Sequence, residues 1–115
     1  DVRLFVREGA DLIVNLSNDY WSLREAEAEQ HFANALFRAI ENRRPLLRAT
    51  ASGVTCHVSA TGRLVDRLPN YVEGSLTTRP ALAELPTTVY TRYGDWFPLF
   101  CALSILLSFV RRRLG

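Results

Sequence analysis

Apolar and polar positions change their spacing along the first part of the chain, and each spacing predicts a different element. Residues 2–6 carry apolar side chains at helical spacing and predict a helix that ends near Gly9. The run 11–16 is short and apolar, as in a strand buried on both faces. The polar and aromatic residues 17–22 then predict a loop that leaves the end of this strand.

A longer amphipathic segment follows the loop. Ser22 and Glu25 have the spacing of a capping box and predict the start of a helix. Its apolar stripe continues to Ile40. Pro45 ends the helix, because a proline disfavours helical backbone in the residue before it. This order of strand, loop and helix predicts an α/β fold, in which ligands bind beyond the carboxyl ends of the strands.

Short strands with turn signals between them are predicted after this helix. Residues 45–50 form one strand, and the alternating run 54–58 forms a half-buried second strand. After a tight turn the run 63–68 returns antiparallel to it. Residues 73–78 are predicted as one more short strand.

The last segment has a different composition. From Trp96 to Val110 it holds 15 residues without a charge, between Asp95 and three consecutive arginines. A helix of this length spans about 22 Å, against a hydrocarbon core of about 30 Å. Aromatic residues before the run and snorkelling arginines after it extend the span. We therefore predict a membrane helix with a cytoplasmic end by the positive-inside rule; the alternative is a buried helix.

This segment divides the chain into three parts. Residues 1–78 form the folded domain, 79–94 a linker with two prolines, and 95–113 the transmembrane helix with its arginine tail. All 14 basic residues are arginine, and without the three at 111–113 only 11 face 12 acidic residues, so the net charge falls from +2 to −1. A nucleic-acid-binding domain needs a basic stripe on its folded part. None is visible, so nucleic acid is not an expected partner.

Few residues in the chain are candidates for chemistry. Cys56 and Cys101 are too few for a disulfide framework, and neither has neighbours that would lower its pKa. His31 lies beside Phe32 on the predicted helix without an acid at suitable spacing, so we interpret it as structural or hydrogen-bonded. No second ligand is spaced for a metal. We predict no metal site and no cofactor.

Several runs, in the same order along the chain, carry a resemblance to a known family. They are GADLIVNLSNDYW at 9–21, QH at 30–31, FRAIE at 37–41, RPLLRAT at 44–50, TGRLV at 61–65 and YTRYGDW at 90–96. Together they resemble the bacterial apolipoprotein N-acyltransferases, and RAIEN at 38–42 is shared more widely across the nitrilase superfamily. The resemblance covers almost the whole chain.

The resemblance implies a fold, an activity and a location. The chain would be part of a nitrilase-like αββα sandwich followed by one C-terminal transmembrane helix, in an enzyme of the bacterial inner membrane whose domain faces the periplasm. The family transfers an acyl chain from a phospholipid to the α-amino group of a lipoprotein's diacylglyceryl-cysteine. The chemistry passes through a cysteine thioester, with a glutamate base and a lysine. The chain has no lysine, so we expect this triad upstream and the fragment to be inactive alone.

The resemblance also suggests roles for a loop. Asn18, Asp19 and Trp21 would lie beside the nucleophile and form one wall of the substrate pocket. The Trp21 ring could pack against an acyl chain, or it could cover the local core. Ser22 and Leu23 stand where many members have Phe-Gly.

Other residues have a structural interpretation, and other functions stay open. We expect Arg38, Glu41 and Arg48 to form an ion network between the helix and the sheet. A soluble nitrilase-type amidase and a degenerate, membrane-anchored interaction module are the alternatives. Half of a two-sheet sandwich would expose an apolar sheet face, so we expect self-association of this chain.

Overall fold

The computed structural model describes residues 1–21, 24–82 and 85–114. Its elements follow in the order α1 (Val2–Arg7), β1 (Ile13–Ser17), α2 (Glu25–Asn42), β2 (Leu46–Thr50), β3 (Cys56–Val58), β4 (Leu64–Arg67), α3 (Val89–Tyr93) and α4 (Trp96–Leu114). The described part is mixed α/β, which confirms the predicted class. The capping box cannot be compared, because Ser22 lies outside the described residues.

The four strands form one sheet in the order β1-β2-β3-β4. β1 pairs with β2 in parallel, and the remaining pairs are antiparallel. In this register Ile13 lies opposite Leu46, and Asn15 lies opposite Arg48. Because β1 and β2 are parallel, the loops that follow them leave the same edge of the sheet.

Helix α2 connects β1 to β2 and packs on one face of the sheet. The core between helix and sheet consists of Phe32, Ala35, Ala39, Leu46, Val54, Cys56 and Val58, with Ile13 and Leu36 partly buried against it. The helix ends at Asn42, since Arg43 adopts the left-handed conformation with φ 51°. The chain is therefore already non-helical before Pro45, as predicted.

The opposite face of the sheet is largely open. Val14 and Leu16 point to this face and are 61% and 78% exposed. Gly74, Ser75, Leu76 and Thr78 line a cavity of about 300 Å³ on the same face. The predicted strand over 73–78 is wrong, because these residues form no regular element. Instead Thr78 is hydrogen-bonded to His57 Nδ1 at 2.6 Å, so the segment is held through a side chain and not by ladder pairing.

The connection before the last helix is attached to the end of α2. Thr88 caps α3 by accepting a hydrogen bond from Thr91 N–H at 2.9 Å. The Thr91 hydroxyl, fully buried, donates to Asn42 Oδ1 at 2.9 Å. Residues 79–82 and 85–88 have no regular structure, so a short helix follows an irregular segment within the predicted linker.

The predicted membrane span over 95–113 is not supported. A helix does form there, from Trp96 to Leu114. Within the ranges that the structure describes, however, no helix is long and apolar enough to cross a membrane. The uncharged run stops after Val110, where three arginines begin. The cytoplasmic C-terminus inferred from the span has no support either.

Candidate functional site

A buried carboxylate lies where the first parallel strand ends. Asp19 follows β1 by two residues, and its side chain is only 1% exposed. Its Oδ1 accepts a hydrogen bond from Ser17 Oγ at 2.6 Å, and Arg48 Nη2 donates to its Oδ2 at 2.8 Å. Both members of this ion pair are 1% exposed at the side chain. The pair connects the loop after β1 to the middle of β2.

His31, on α2, completes what we call the Asp19 cluster (Ser17, Asp19, His31 and Arg48). Its Nδ1 lies 2.7 Å from Asp19 Oδ1. An ionised carboxylate can only accept, so the Nδ1–H group of His31 is the donor in this contact. The His31 side chain is 39% exposed. The cluster therefore presents a histidine of fixed orientation at the edge of the sheet where ligands bind in such folds.

Two further features keep Arg48 and Asp19 together. Arg48 Nη1 donates to Asn15 Oδ1 on the neighbouring strand. Gly53, in the loop after β2, leaves room for the carboxylate: a Cβ at this position would lie 2.1 Å from Asp19 Oδ2. A larger residue at 53 would displace the carboxylate from Arg48.

The environment of Asp19 favours its ionised form. Burial alone would raise its pKa, but the hydrogen bonds from Ser17, His31 and Arg48 and the charge of Arg48 hold the pKa below its ordinary value. Asp19 is thus a permanent anion near neutral pH. It can orient donors, and it is poorly suited to exchange protons with a substrate.

The three loop residues predicted to wall a pocket take different positions. Asp19 is buried in the cluster, whereas Asn18 accepts a hydrogen bond from Tyr20 N–H at 3.1 Å and shapes the turn. The Trp21 ring is 67% exposed, with its centroid 6.0 Å from that of His31. Trp21 therefore does not cover the core.

The residues predicted to form one ion network are separated. Arg38 donates to Glu41 Oε1 at 2.9 Å within α2. Arg48 pairs with Asp19 and not with either of them. Arg48 lies on β2, and its ion-pair partner Asp19 is 29 residues away in the chain, so no local spacing indicated this pair.

The cysteine of the sheet has no nucleophilic character. Cys56 is 2% exposed, and burial, the largest influence, raises the pKa of its thiol to about 11. Among the described residues no group of three or more His, Cys, Asp and Glu is arranged to hold a metal ion.

Two members of the Asp19 cluster were not found from the sequence. Ser17 has a local signal, since a serine two residues before an aspartate can reach its carboxylate. His31 has none, because its acid lies 12 residues away and meets it only when α2 packs on the sheet. The role of Gly53 was not predicted from the sequence for the same reason, because its contact with Asp19 forms only in the folded chain.

Several known proteins that are similar to this chain are named apolipoprotein N-acyltransferase. No protein-family model matches the sequence. Apolipoprotein N-acyltransferase 1 of Treponema denticola is 37% identical over 107 residues, which cover 92% of this chain and 20% of that protein. The apolipoprotein N-acyltransferases of Thermotoga maritima and Bdellovibrio bacteriovorus are 37% and 38% identical, over 98% and 92% of this chain.

The similarity extends over nearly all of this chain but over little of each relative. This chain covers 22% of the Thermotoga protein and 20% of the Bdellovibrio protein. The resemblance carried by the runs at 9–21, 37–50 and 90–96 is thus confirmed by whole-chain similarity. The chain is therefore similar over nearly its whole length to one segment of the apolipoprotein N-acyltransferases, and it spans about a fifth of the length of the relatives that it matches.

Proposed function

We propose that this chain is the C-terminal part of an apolipoprotein N-acyltransferase. The whole enzyme would transfer an acyl chain from a phospholipid to the α-amino group of a lipoprotein's N-terminal diacylglyceryl-cysteine, through a cysteine thioester. The observation that carries the proposal is the 37% identity over 92% of the chain to a relative of that name.

The open surfaces of the sheet support a partial domain. β1 is an edge strand whose exposed side chains, Val14 and Leu16, are apolar. Open apolar edges and faces are normally covered in a finished fold. We propose that the remaining residues of the enzyme supply the rest of a nitrilase-like αββα sandwich against them. Residues 1–78 are then the end of that domain, 79–94 connect it to the last helix, and 95–113 contain that helix.

The catalytic cysteine, glutamate and lysine would lie outside these residues. Cys56 is buried with a pKa raised to about 11, and the chain contains no lysine. What this chain would contribute is a wall of the substrate pocket. The Asp19 cluster would hold the loop, Asn18 would shape its turn, and the exposed Trp21 ring would contact the acyl chain. Arg38, Glu41 and Arg48 would have structural roles.

The location follows from the same proposal. An enzyme that takes its acyl chain from a phospholipid works where the lipid is. We propose the bacterial inner membrane, with the α/β domain on its periplasmic side. Protease treatment of intact spheroplasts would test this, since cleavage within residues 1–78 requires that the domain face outward.

The experiment that tests the function uses the longer protein that contains these residues. It would be purified in detergent and incubated with a phospholipid whose acyl chain carries an alkyne tag. We expect hydroxylamine-sensitive labelling of the protein, as for a thioester, followed by transfer of the label to a diacylglyceryl-cysteine peptide. The 115-residue chain alone serves as the control and should remain unlabelled.

A pocket variant refines the same assay. Trp21→Ala should weaken use of the phospholipid, and Trp96→Ala is the matched change outside the pocket. Absence of any labelled protein from the longer enzyme would contradict the proposed function. Labelling of the 115-residue chain would contradict the proposed position of the nucleophile.

A further inference from the structure

A cavity of about 370 Å³ lies at the end of the sheet opposite the Asp19 cluster. Pro45, which precedes β2, and Ser59, which follows β3, both line it, so the cavity is at the amino end of β2. The loop that carries Asp19 leaves the carboxyl end of the parallel strand β1. The cavity is therefore separate from the proposed substrate pocket, and its volume is within the range of small-ligand sites.

The chain segment 78–82, with Leu85, forms the outer wall of this cavity and is attached at two points. Thr78 is hydrogen-bonded to His57 Nδ1 at 2.6 Å. The two neighbours of His57 along β3 lie in the core under α2, so its ring is on the open face of the sheet. At the other end of the wall, the Leu85 carbonyl oxygen accepts a hydrogen bond from Arg44 Nη1 at 3.2 Å. His57 is only 3% exposed, so it holds the wall in place and is not available to a ligand.

Two arginines line the cavity, and no acidic side chain among the described residues does so. Arg63 lies in the turn before β4, where its backbone N–H donates to Ser59 Oγ at 3.1 Å. Arg79 precedes Pro80, which restricts the Arg79 backbone to an extended conformation. Asp66, the one acid of β4, lies outside the lining. The chain therefore places two positive charges at the cavity before any ligand binds.

The guanidinium groups of Arg63 and Arg79 are free to bind a ligand. Both residues are exposed, and neither has an ion-pair partner within 1–21, 24–82 and 85–114. Carboxylates in the same ranges do pair with five other arginines, namely Arg3, Arg38, Arg44, Arg48 and Arg67. Guanidinium groups bind phosphate and carboxylate oxygens through parallel N–H bonds. The lining therefore selects an anion.

The remaining lining indicates what the anion is attached to. Much of it is apolar and comes from Pro45, Ala60, Val65, Ala81 and Leu85. Apolar walls stabilise a ligand that carries hydrocarbon next to its charge, and they offer nothing to a bare inorganic ion. The two arginines balance the charge of a phosphate monoester, which is close to −2 above its second pKa of about 6. A carboxylate would balance only one of them.

We propose that this cavity binds a phosphate monoester attached to a short apolar chain. The inference goes beyond the proposed function, because the cavity lies away from the pocket in which acyl transfer would take place. Two sources carry this chemistry: a lipid whose headgroup ends in a free phosphate, and a soluble phosphate ester. The apolar part of the lining favours the lipid.

The first test measures binding by isothermal titration calorimetry near neutral pH, with the longer protein that contains these residues in a non-ionic detergent. Butyl phosphate, butanoate and butylamine share one apolar chain and differ in charge. We expect butyl phosphate to bind at least roughly tenfold more tightly than either of the others, because only it engages both arginines. Equal or tighter binding of butanoate or butylamine, or no binding of butyl phosphate, would overturn the proposal.

Variants locate the site. Arg63→Gln and Arg79→Gln should each weaken butyl phosphate binding about tenfold, since each removes a charge-assisted contact. Arg92→Gln, the same change at an exposed arginine outside the cavity, should leave binding unchanged. Both cavity arginines are exposed, so an unaltered melting temperature should show that the fold is kept. Unchanged binding in both cavity variants, or an equal loss in Arg92→Gln, would overturn the assignment.

Two further comparisons identify the source and the separation from the substrate pocket. Tighter binding of dihexanoyl phosphatidic acid than of glycerol 3-phosphate supports the lipid, and the reverse order or equal binding overturns that assignment. Arg63→Gln should also leave transfer of the alkyne-tagged acyl chain unchanged, and loss of transfer in this variant would overturn the separation of the two sites. Because the main readout is binding, failure of this proposal is distinct from failure of acyl transfer by the longer enzyme.

Discussion

At the residue scale, the buried carboxylate of Asp19 depends on three neighbouring side chains in the described part of the chain. Its two oxygens take hydrogen bonds from Ser17, His31 and Arg48, and both it and Arg48 are 1% exposed. A buried ion pair adds little stability relative to apolar packing, but removing one partner leaves the other charge buried without a counter-ion. The cluster is therefore a fixed point from which the loop and the His31 ring are positioned.

Replacing Asp19 should accordingly destabilise the fold. Asp19→Asn keeps the size of the side chain and leaves the Arg48 charge buried without an anion. We expect a loss of about 3 kcal/mol in the free energy of unfolding, measured by urea denaturation with far-UV circular dichroism. Asp95→Asn, at an exposed aspartate, should change stability by less than about 0.5 kcal/mol. Similar losses in the two variants would contradict the role assigned to the cluster.

The same carboxylate predicts a dependence on pH. The pKa of Asp19 is lower in the folded state than its ordinary value of about 4. As the pH falls, the unfolded chain therefore binds this proton first, and stability is lost as the pH drops through the folded pKa. The difference in unfolding free energy between the natural chain and Asp19→Asn should be constant above about pH 5 and shrink below about pH 4. A difference that stays constant to pH 2 would be inconsistent with this assignment.

Cys56 gives a third prediction at this scale. With its pKa raised to about 11, almost none of its thiol is ionised at pH 8, and the side chain is buried. Iodoacetamide should alkylate it at least roughly a hundredfold more slowly than a free cysteine, because only the thiolate reacts. Cys101, which is less buried, should be modified first. Mass spectrometry of peptides locates the label, and unfolding in guanidinium should abolish the difference; fast labelling of Cys56 in the folded chain would refute it.

At the element scale, hydrophobic spacing was sufficient to predict the helices and strands whose buried side chains recur at a regular period. The predicted helix before Pro45 and the strands at 45–50, 54–58 and 63–68 all have counterparts in the structure. The strand over 73–78 does not: this segment lines a cavity on the open sheet face, and Thr78 is hydrogen-bonded to His57. Periodicity indicates which side chains are buried, but it does not distinguish ladder pairing from side-chain attachment.

The attachment of the segment around Thr88 and Thr91 to the end of α2 could not be predicted from the sequence either. The Thr88 hydroxyl donates to the carbonyl oxygen of Glu41, and the Thr91 hydroxyl donates to Asn42 Oδ1. These contacts join residues about 50 positions apart, so no local pattern reveals them. The bond to Glu41 satisfies one of the carbonyl groups that a helix leaves free at its last turn.

Thr91→Val tests this attachment with almost no change in volume. The variant loses the hydroxyl and leaves Asn42 Oδ1 buried without a donor, which costs about 1–3 kcal/mol. We expect faster amide hydrogen exchange in α3 and at the end of α2, with little change in the sheet. Thr77→Val, at an exposed threonine, is the matched control. Uniformly faster exchange across the sheet would mean that Thr91 stabilises the whole fold and not this contact.

At the scale of the whole molecule, the fold is asymmetric. α2 covers one face of the sheet, whereas β1 leaves both an edge and an apolar face open. The Asp19 cluster lies at the carboxyl end of the same sheet. That a site belongs at this edge could be inferred from the predicted α/β order alone. Which residues meet there could not, because Asp19, His31 and Arg48 come from three separate elements.

The open face leads to an expectation for the chain in isolation. Val14 and Leu16 project from an edge strand, the kind of surface through which sheets associate. We expect the 115-residue chain to self-associate at micromolar concentration, and Leu16→Lys to shift it toward monomer by placing a charge on that face. Sedimentation velocity over a range of concentrations measures the effect.

The control must account for the exposed apolar side chains of α4, which could also drive association. Leu82→Lys makes the same change at a leucine that is 59% exposed but lies outside the sheet. Both variants leave α4 intact, so the difference between them isolates the contribution of the sheet face. If both remain as associated as the natural chain, α4 dominates and the sheet face is not the principal contact. A monomeric Leu16→Lys variant beside an associated Leu82→Lys variant would identify β1 as the surface that the rest of the enzyme covers.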